Sequence, residues 1–146
     1  MKVKIQKLSP LAQLPRKAHS DNFCYDVVAT SEEEVAPNVW KYGIGLAFEV
    51  EEDNQAPRDI SIDFRCRSSV WKTGMVLSNA CGTIDQNFRG EVSAVFYHIM
   101  PNLPRYRVGD RIGQIKLGFS TPMDFEWTSA LSPTERGKGG YGSSGK

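Results

Sequence analysis

The sequence predicts one all-β domain, and three observations support this. Hydrophobic residues alternate with polar ones over several short runs, which is the pattern of strands with one face toward a core. Turn-forming residues separate these runs. No long stretch has the periodicity of an amphipathic helix. Several short strands joined by frequent turns are typical of a β-barrel or a β-sandwich.

The predicted strands start near the first residue. Val3 and Ile5, set between lysines, indicate a short opening strand. Two central runs alternate most clearly, and two later runs are rich in the β-branched and aromatic residues that favour strands. After the opening strand, the predicted strands are Ile44–Val50, Ile60–Cys66, Glu91–Ile99 and Arg111–Phe119. The best helix candidate is short, Ser68–Lys72, with a serine as its possible cap.

The end of the chain differs in composition from the rest. Residues 136–146 are rich in glycine and serine and have no hydrophobic period, which is typical of a flexible segment. We therefore divide the chain into a β domain, residues 1–135, and a flexible arm, residues 136–146. The arm also contains Arg136, which could clamp phosphate oxygens, and Tyr141, whose ring could stack on a planar base.

Composition and charge exclude several classes of function. The net charge of +1 gives no general attraction to nucleic acid or to an anionic membrane. Three cysteines without a C-x-x-C spacing, and only two histidines, argue against a zinc site. They favour reduced, mostly buried thiols in a cytoplasmic protein. No apolar run approaches the ~20 residues that span a bilayer, and the first residues lack the apolar core of a signal peptide.

Arg67-Ser68-Ser69 is a candidate anion site. Serine hydroxyls and the first amides of a short helix would point at a phosphate, and the arginine would supply positive charge. The alternative is a surface turn with a capping serine, and these three residues alone favour that alternative.

Four other residues could take part in chemistry. Asp85 lies in a predicted strand–turn–strand, residues 82–91, and is either a turn residue or a carboxylate that accepts a proton from water. Phe88 is either a core residue or a wall against a sugar ring. Asp26 lies in an apolar stretch, so it needs a partner, a metal-bound water or exposure to solvent. Gln114 can project a polar amide from the last predicted strand.

Taken together, these segments resemble the five motifs of the trimeric dUTPase family, in order from Tyr25 to Gly145. The two most diagnostic segments are Gly82–Gly90 and Arg136–Gly145. The resemblance implies hydrolysis of dUTP to dUMP and pyrophosphate, which limits uracil in DNA and supplies dUMP for dTMP synthesis. It also implies a jelly-roll-like β-barrel of the β-clip type and a homotrimer with shared active sites. The arm of one chain would close over a site on another.

The resemblance assigns roles to individual residues. Asp85 corresponds to the carboxylate that orients and deprotonates the attacking water, with Arg67 and Gln114 as further catalytic residues. Asp26 corresponds to an aspartate that contacts water in the shell of Mg²⁺, the implied cofactor, which the substrate phosphates mainly hold. The implied substrate-binding residues are Arg67, Ser68, Ser69, Asn79, Gly82, Thr83, Ile84, Asp85, Phe88, Gln114, Arg136, Tyr141, Gly142, Ser143 and Ser144.

Within this set, the resemblance separates base recognition from phosphate recognition. Asn79 and the backbone of residues 82–85 would read the edge of uracil, which rejects cytosine because its donors and acceptors are reversed. Phe88 would pack on deoxyribose, and Tyr141 would stack on the base. Gly113 stands where the family more often has alanine, and we expect this change to have a small effect.

Three alternative functions stay open on the sequence alone. A dCTP deaminase would share the fold and an Arg-Ser-Ser motif, although residues 84–90 and the arm follow the dUTPase pattern. A nucleotide-sensing protein would keep the dUTP site and use closure of the arm to alter a protein partner. A purely structural β-barrel would leave five polar residues unexplained, namely Asp26, Arg67, Asp85, Gln114 and Arg136.

Overall fold

A computed structural model describes residues 1–51 and 59–140. Within these residues the chain forms ten strands and one turn of 3₁₀ helix, which confirms the all-β prediction. No helix in the described ranges has the length and apolar character needed to cross a bilayer. The strands are β1 (Lys2–Lys7), β2 (Tyr25–Val28), β3 (Ser31–Ala36), β4 (Val39–Gly43), β5 (Leu46–Glu51), β6 (Asp59–Arg65), β7 (Met75–Leu77), β8 (Gly82–Asp85), β9 (Ser93–His98) and β10 (Arg111–Ser120), and the 3₁₀ helix is Val70–Thr73.

The strands form two four-stranded antiparallel sheets and one two-stranded ribbon. The first sheet has the order β2-β10-β6-β8, and the second has the order β3-β4-β9-β7. The ribbon pairs β1 with β5. Neighbours in each sheet are mostly distant in sequence, so the fold depends on long-range pairing rather than on local hairpins.

The core lies between the two four-stranded sheets. Phe64 of β6 meets Phe96 of β9 edge to face, with ring centroids 6.4 Å apart. Phe96 also contacts the rings of Tyr42 and Tyr106 in edge-on geometry. These four aromatic residues join the first sheet, the second sheet and the loop before β10 into one core.

The structure confirms the position of most predicted strands. The predicted strand Ile60–Cys66 is β6 within one residue, and Arg111–Phe119 is β10. The predicted strand Ile44–Val50 begins later, at Leu46, because Gly45 has a φ of +66° and interrupts the extended backbone.

Four strands were not predicted: β2, β3, β4 and β7. Strand β3 begins with Ser31-Glu32-Glu33-Glu34, a composition that disfavours strands. It pairs with β4 through a tight turn at Pro37-Asn38, where Asn38 takes a φ of +60°. Asparagine adopts this left-handed conformation more readily than most residues.

Three other expectations need correction. The predicted short helix is present but spans Val70–Thr73 instead of Ser68–Lys72, and the side chain of Ser69 at its N-cap position makes no cap hydrogen bond. The segment 82–91 is not a hairpin, because β8 ends at Asp85 and β9 belongs to the other sheet. Finally, the cysteines are not mostly buried, since Cys81 is exposed and Cys24 and Cys66 are half-buried.

A network around Glu32 holds the loop before β10 against β3 and β4. The Arg105 guanidinium donates to Glu32 Oε1 at 3.0 Å and lies 3.3 Å from the centroid of the Trp40 ring. The Val108 amide donates to Glu32 Oε2 at 3.1 Å. The hydrogen bond from Arg105 lowers the pKa of the Glu32 carboxyl, with a further contribution from Arg107. This carboxylate therefore stabilises the loop in its ionised form.

We predict that Glu32→Gln lowers the free energy of unfolding at pH 7 by about 1–2 kcal/mol, because the carboxylate is three-quarters shielded and accepts charge-assisted hydrogen bonds. The pKa of Glu32 is lower in the folded protein than in the unfolded chain. The stabilisation by the Glu32 carboxylate is therefore complete above the unfolded pKa, and it is lost as pH falls through the folded pKa. Urea unfolding from pH 7 to pH 3 measures the difference between the two proteins. The control is Glu33→Gln, an exposed neighbour, and an equal loss in both variants at pH 7 contradicts the prediction.

Candidate active site

The first group of predicted site residues lies where β2, β10 and the end of β6 meet. Asp26 and Gln114 are direct partners in the pairing of β2 with β10, so their side chains share one face of the sheet. Arg67 follows the end of β6 and reaches Asp26, with its Nε 3.4 Å from Oδ1. Strand pairing therefore brings together three residues that are 41 to 88 positions apart in sequence.

Asp26 is the centre of this group. Its side chain is 16% exposed, and each of its two oxygens faces a guanidinium. Arg67 approaches Oδ1, and Arg111 Nη1 lies 2.9 Å from Oδ2. Both arginines offset the cost of partly burying this carboxylate. Arg111 was not among the predicted site residues, although it is charged and lies only three positions before Gln114.

Arg67 and Gln114 are each held by a second contact. Arg67 Nη1 lies 3.4 Å from the hydroxyl oxygen of Ser69, so the guanidinium is held at both Nε and Nη1. The Gln114 amide donates from Nε2 to the Cys66 carbonyl at 3.1 Å, which leaves its second N–H for an anion or a water. Ser68 is exposed beside them. The group presents hydrogen-bond donors and positive charge, which suits phosphate oxygens.

The second group lies on β8 and the turns at its two ends. Asp85 is exposed at the end of β8, opposite Ser61 of β6. Its carbonyl accepts a hydrogen bond from the Phe88 amide at 3.0 Å, so Asp85 is a turn residue and an exposed carboxylate at once. Phe88 keeps 45% of its surface exposed, which leaves its ring available to a ligand.

The remaining residues of the second group precede Asp85. Asn79 is exposed in the turn before β8, and its amide nitrogen lies 3.8 Å from the position of a Cβ added at Gly82. Thr83 is exposed, whereas Ile84 is half-buried against the core. Packing of Ile84 thus fixes the strand, while Asn79 and the exposed backbone near Gly82 face outward.

One chain does not bring Asp85 close to Asp26. Strands β2 and β8 lie at opposite edges of the first sheet, three strand spacings apart. Asp85 pairs with Ser61 of β6, whereas Gln114 pairs with Arg65 of the same strand. Asp85 and Gln114 are therefore also offset by four residues along the strand direction. With strand spacings near 4.8 Å and a rise near 3.3 Å per residue, Asp85 lies about 20 Å from Asp26.

The segment after β10 makes few contacts with the domain. Residues 121–138 are all exposed, including Trp127, which is fully exposed. Arg136 donates from Nε to the carbonyl of Gly139 at 3.0 Å, within its own turn. Arg136 is thus exposed and hydrogen-bonded within its own turn, and Tyr141, Gly142, Ser143 and Ser144 lie outside the described residues.

The first group suits only an indirect role in metal binding. Among the described residues, no three His, Cys, Asp or Glu side chains are clustered in a way that could hold a metal ion. Asp26 is the carboxylate of the group, and both of its oxygens already face arginines. Direct coordination of a metal ion by Asp26 would therefore require one carboxylate oxygen to leave its arginine.

Comparison with known proteins identifies the family. A sequence model described as dUTPase matches residues 11–145. The chain belongs to the dUTPase family. A deoxyuridine 5'-triphosphate nucleotidohydrolase of Helicobacter pylori (strain P12) is 32% identical, over 99% of this chain and 97% of the relative. The corresponding protein of Nautilia profundicola is 31% identical and covers both chains completely.

Solved structures of other dUTPases share the fold. The dUTPase of Staphylococcus bacteriophage 80alpha, solved with dUPNHPP, has a TM-score of 0.81 at 19% identity and covers 99% of each chain. A mutant dUTPase from phage phi11 of S. aureus, described with a structural Mg(II) ion, has a TM-score of 0.71 at 15% identity. It covers 91% of this chain and 100% of the phage chain. At these identities the likeness establishes the fold of the described chain.

Gly113, next to Gln114, has less room for a side chain than we expected from the sequence. A Cβ added at this position would collide with the ring of Phe64, most closely with Cζ, and would lie 2.7 Å from both Cε1 and Cε2. Phe64 is buried in the core between the two sheets, so its ring has little room to move. The absence of a side chain at Gly113 therefore allows the Phe64 ring to pack directly beneath the backbone beside Gln114.

We predict that Gly113→Ala lowers the free energy of unfolding by about 1–3 kcal/mol, the usual cost of overpacking a core. Urea unfolding measures the loss, and Gly140→Ala is the control because a Cβ there meets nothing within 4 Å. The double variant Gly113→Ala/Phe64→Leu should lose less stability than the sum of the two single variants, because the smaller side chain makes room for the methyl group. Full additivity would show that the two positions are not in steric conflict.

Proposed function

We propose that this chain, a dUTP nucleotidohydrolase by its family, hydrolyses the α–β phosphoanhydride bond of dUTP with Asp85 as the general base. The observation that carries the proposal is the family match from residue 11 to residue 145, which includes both diagnostic segments. The geometry supports it, because donors for phosphate surround Asp26 and an exposed carboxylate ends β8. The reaction needs positioning, charge neutralisation and one base, and these residues supply all three.

In this proposal the chain's own residues orient the triphosphate and the water. Arg67, Ser69 and Gln114 bind phosphate oxygens through N–H and O–H donors that are already held in place. Asp85 accepts the proton of the water that attacks the α-phosphorus, and dUMP and pyrophosphate leave. Mg²⁺, when bound, would neutralise part of the triphosphate charge, and Asp26 would contact it through water.

The second group recognises the nucleoside. The edge of uracil is read by Asn79 and by the backbone at Gly82, Thr83 and Ile84. Another base would leave hydrogen-bonding groups of the closed site unpaired, which would disfavour its binding. Phe88 packs against the deoxyribose with its half-exposed ring. Tyr141 then stacks on uracil, and Arg136, Gly142, Ser143 and Ser144 close over the phosphates when the arm folds down.

The active protein in this proposal is a homotrimer of jelly-roll-like barrels with three shared sites. The distance of about 20 Å between Asp26 and Asp85 supports this, because a catalytic base must approach the reacting water to hydrogen-bond distance. One chain supplies Asp26, Arg67 and Gln114, a second supplies the β8 group, and a third supplies the arm. The exposed apolar residues of the segment after β10, Trp127 above all, also favour burial against other chains.

The test of the proposed function is pyrophosphate release from dUTP, dCTP, dTTP and UTP, with Mg²⁺ and with a chelator. We expect rapid release from dUTP alone, dependent on Mg²⁺. Tight binding of dUTP without release would favour a nucleotide-sensing protein. Ammonia release from dCTP would favour a deaminase.

We predict that Asp85→Asn lowers kcat for dUTP by about 10²- to 10⁴-fold, the usual contribution of a general base, while dUTP binding and folding are retained. Single-turnover kinetics and calorimetry measure the two effects separately. The matched control is Asp59→Asn, which removes a carboxylate from the same groove of the sheet. Turnover by Asp85→Asn within a few-fold of wild type would remove Asp85 from the mechanism.

We predict that deletion of residues 136–146 abolishes efficient turnover, and that mixing the deletion variant with Asp85→Asn restores it. A working site needs Asp85 from one subunit and the arm from another, so random reassembly in equal amounts restores about one quarter of wild-type activity. The measurement is steady-state dUTP hydrolysis after co-refolding, with light scattering to follow assembly. If each chain formed its own complete site, the mixture would stay inactive.

A further inference from the structure

Arg111 contacts the centre of the phosphate-facing group but is assigned no role by the proposed function. We infer that Arg111 is a positioning residue that acts through Asp26 to fix the guanidinium of Arg67. This inference rests on the proposed function, because it concerns the same site. It gives Asp26 a main role as the link between two arginines, in addition to any contact with metal-bound water.

The contact distances indicate the direction of this effect. Arg111 Nη1 is 2.9 Å from Asp26 Oδ2, whereas Arg67 Nε is 3.4 Å from Oδ1. The shorter, hydrogen-bonded contact therefore fixes the carboxylate plane, and the carboxylate then orients Arg67. With Nε facing Asp26 and Nη1 facing Ser69, the guanidinium of Arg67 keeps Nη2 for a substrate oxygen.

The backbone of β10 is built to place Arg111 on this face. Gln114 pairs with Asp26 and Gly113 pairs with Val27, so regular pairing would set Ile112 opposite Val28. Instead, Arg111 pairs with Val28, and the register is shifted between Arg111 and Gly113. Without this β-bulge, alternation would turn Ile112 toward the polar face and Arg111 toward the core. With the bulge, Ile112 is fully buried and Arg111 reaches Asp26.

Two other roles for Arg111 make different predictions. Because its side chain is 49% exposed, Arg111 could contact the substrate directly. It could also act only on a carboxylate whose function is to bind water of the Mg²⁺ shell. Direct contact would not depend on Asp26, and a metal role would disappear when Mg²⁺ is removed. Positioning of Arg67 depends on Asp26 and persists without the metal.

The experiment compares Arg111→Gln and Arg111→Lys with wild type and with Arg65→Gln. Arg65 is the matched control, since it has similar exposure, 52%, on the same sheet, and its ion-pair partner is Asp63. Affinity for a non-hydrolysable imido analogue of dUTP is measured by calorimetry with Mg²⁺ and with a chelator, and kcat and KM are measured for dUTP. Thermal unfolding shows that each variant is folded.

We expect Arg111→Gln to weaken analogue binding about tenfold in both metal conditions and to lower kcat by about 10- to 100-fold, as for other misplaced catalytic groups. Arg111→Lys should recover part of the loss, because lysine keeps the charge but not the fork geometry. In an Asp26→Asn background, Arg111→Gln should add little, since its effect passes through Asp26.

Several results would overturn the inference. One is analogue binding and kcat in Arg111→Gln within twofold of the Arg65→Gln control. A second is a full additional loss in the Asp26→Asn background, which would mean direct substrate contact. A third is a loss of affinity confined to Mg²⁺. If Arg111→Gln does not fold, the same three comparisons are made with Arg111→Lys. Wild-type protein that binds the analogue but does not hydrolyse dUTP would count against the proposed function and leave this test intact.

Discussion

The structure depends on the pairing of β10 with β2 on one side and β6 on the other. Inward residues of β10, Ile112 and Ile115, fill the core, while Gln114 and Arg111 lie on the opposite face. Because strand pairing fixes which residues lie opposite each other, the same hydrogen bonds that stabilise the sheet also set Gln114 beside Asp26. A shift of one residue in this register would exchange the core and the phosphate-facing group together.

The same sheet explains why the site residues form two groups. Arg67, Arg111 and Gln114 supply positive charge and hydrogen-bond donors around Asp26 of β2, whereas the β8 edge carries the exposed carboxylate of Asp85. With Asp85 about 20 Å from Asp26, one chain alone lacks the proposed catalytic arrangement. In the proposed function, assembly of chains is therefore a condition of activity, and it would also cover the exposed apolar residues of the segment after β10.

The sequence predicted what local patterns encode. Alternation predicted β6 and β10, and the family resemblance proposed Asp85, Arg67 and Gln114 as site residues. The structure sets Arg67 and Gln114 beside Asp26 and leaves Asp85 on another strand. The sequence did not predict β3, because three consecutive glutamates disfavour a strand. The contacts of Glu32 are with a loop more than 70 residues away, which a local pattern does not contain. Nor could it identify Arg111, whose position follows from a β-bulge, or the packing of Phe64 under Gly113. Both depend on contacts between distant segments, which periodicity does not contain.

Charge balance connects the two groups, the metal and the arm. Arg67 and Arg111 exceed Asp26 by only one positive charge, and the whole chain has a net charge of +1. A nucleoside triphosphate brings roughly four negative charges, so the resting group cannot neutralise it. In the proposed function, Mg²⁺ and the arm, which carries one arginine and two lysines, supply the missing charge when substrate is bound.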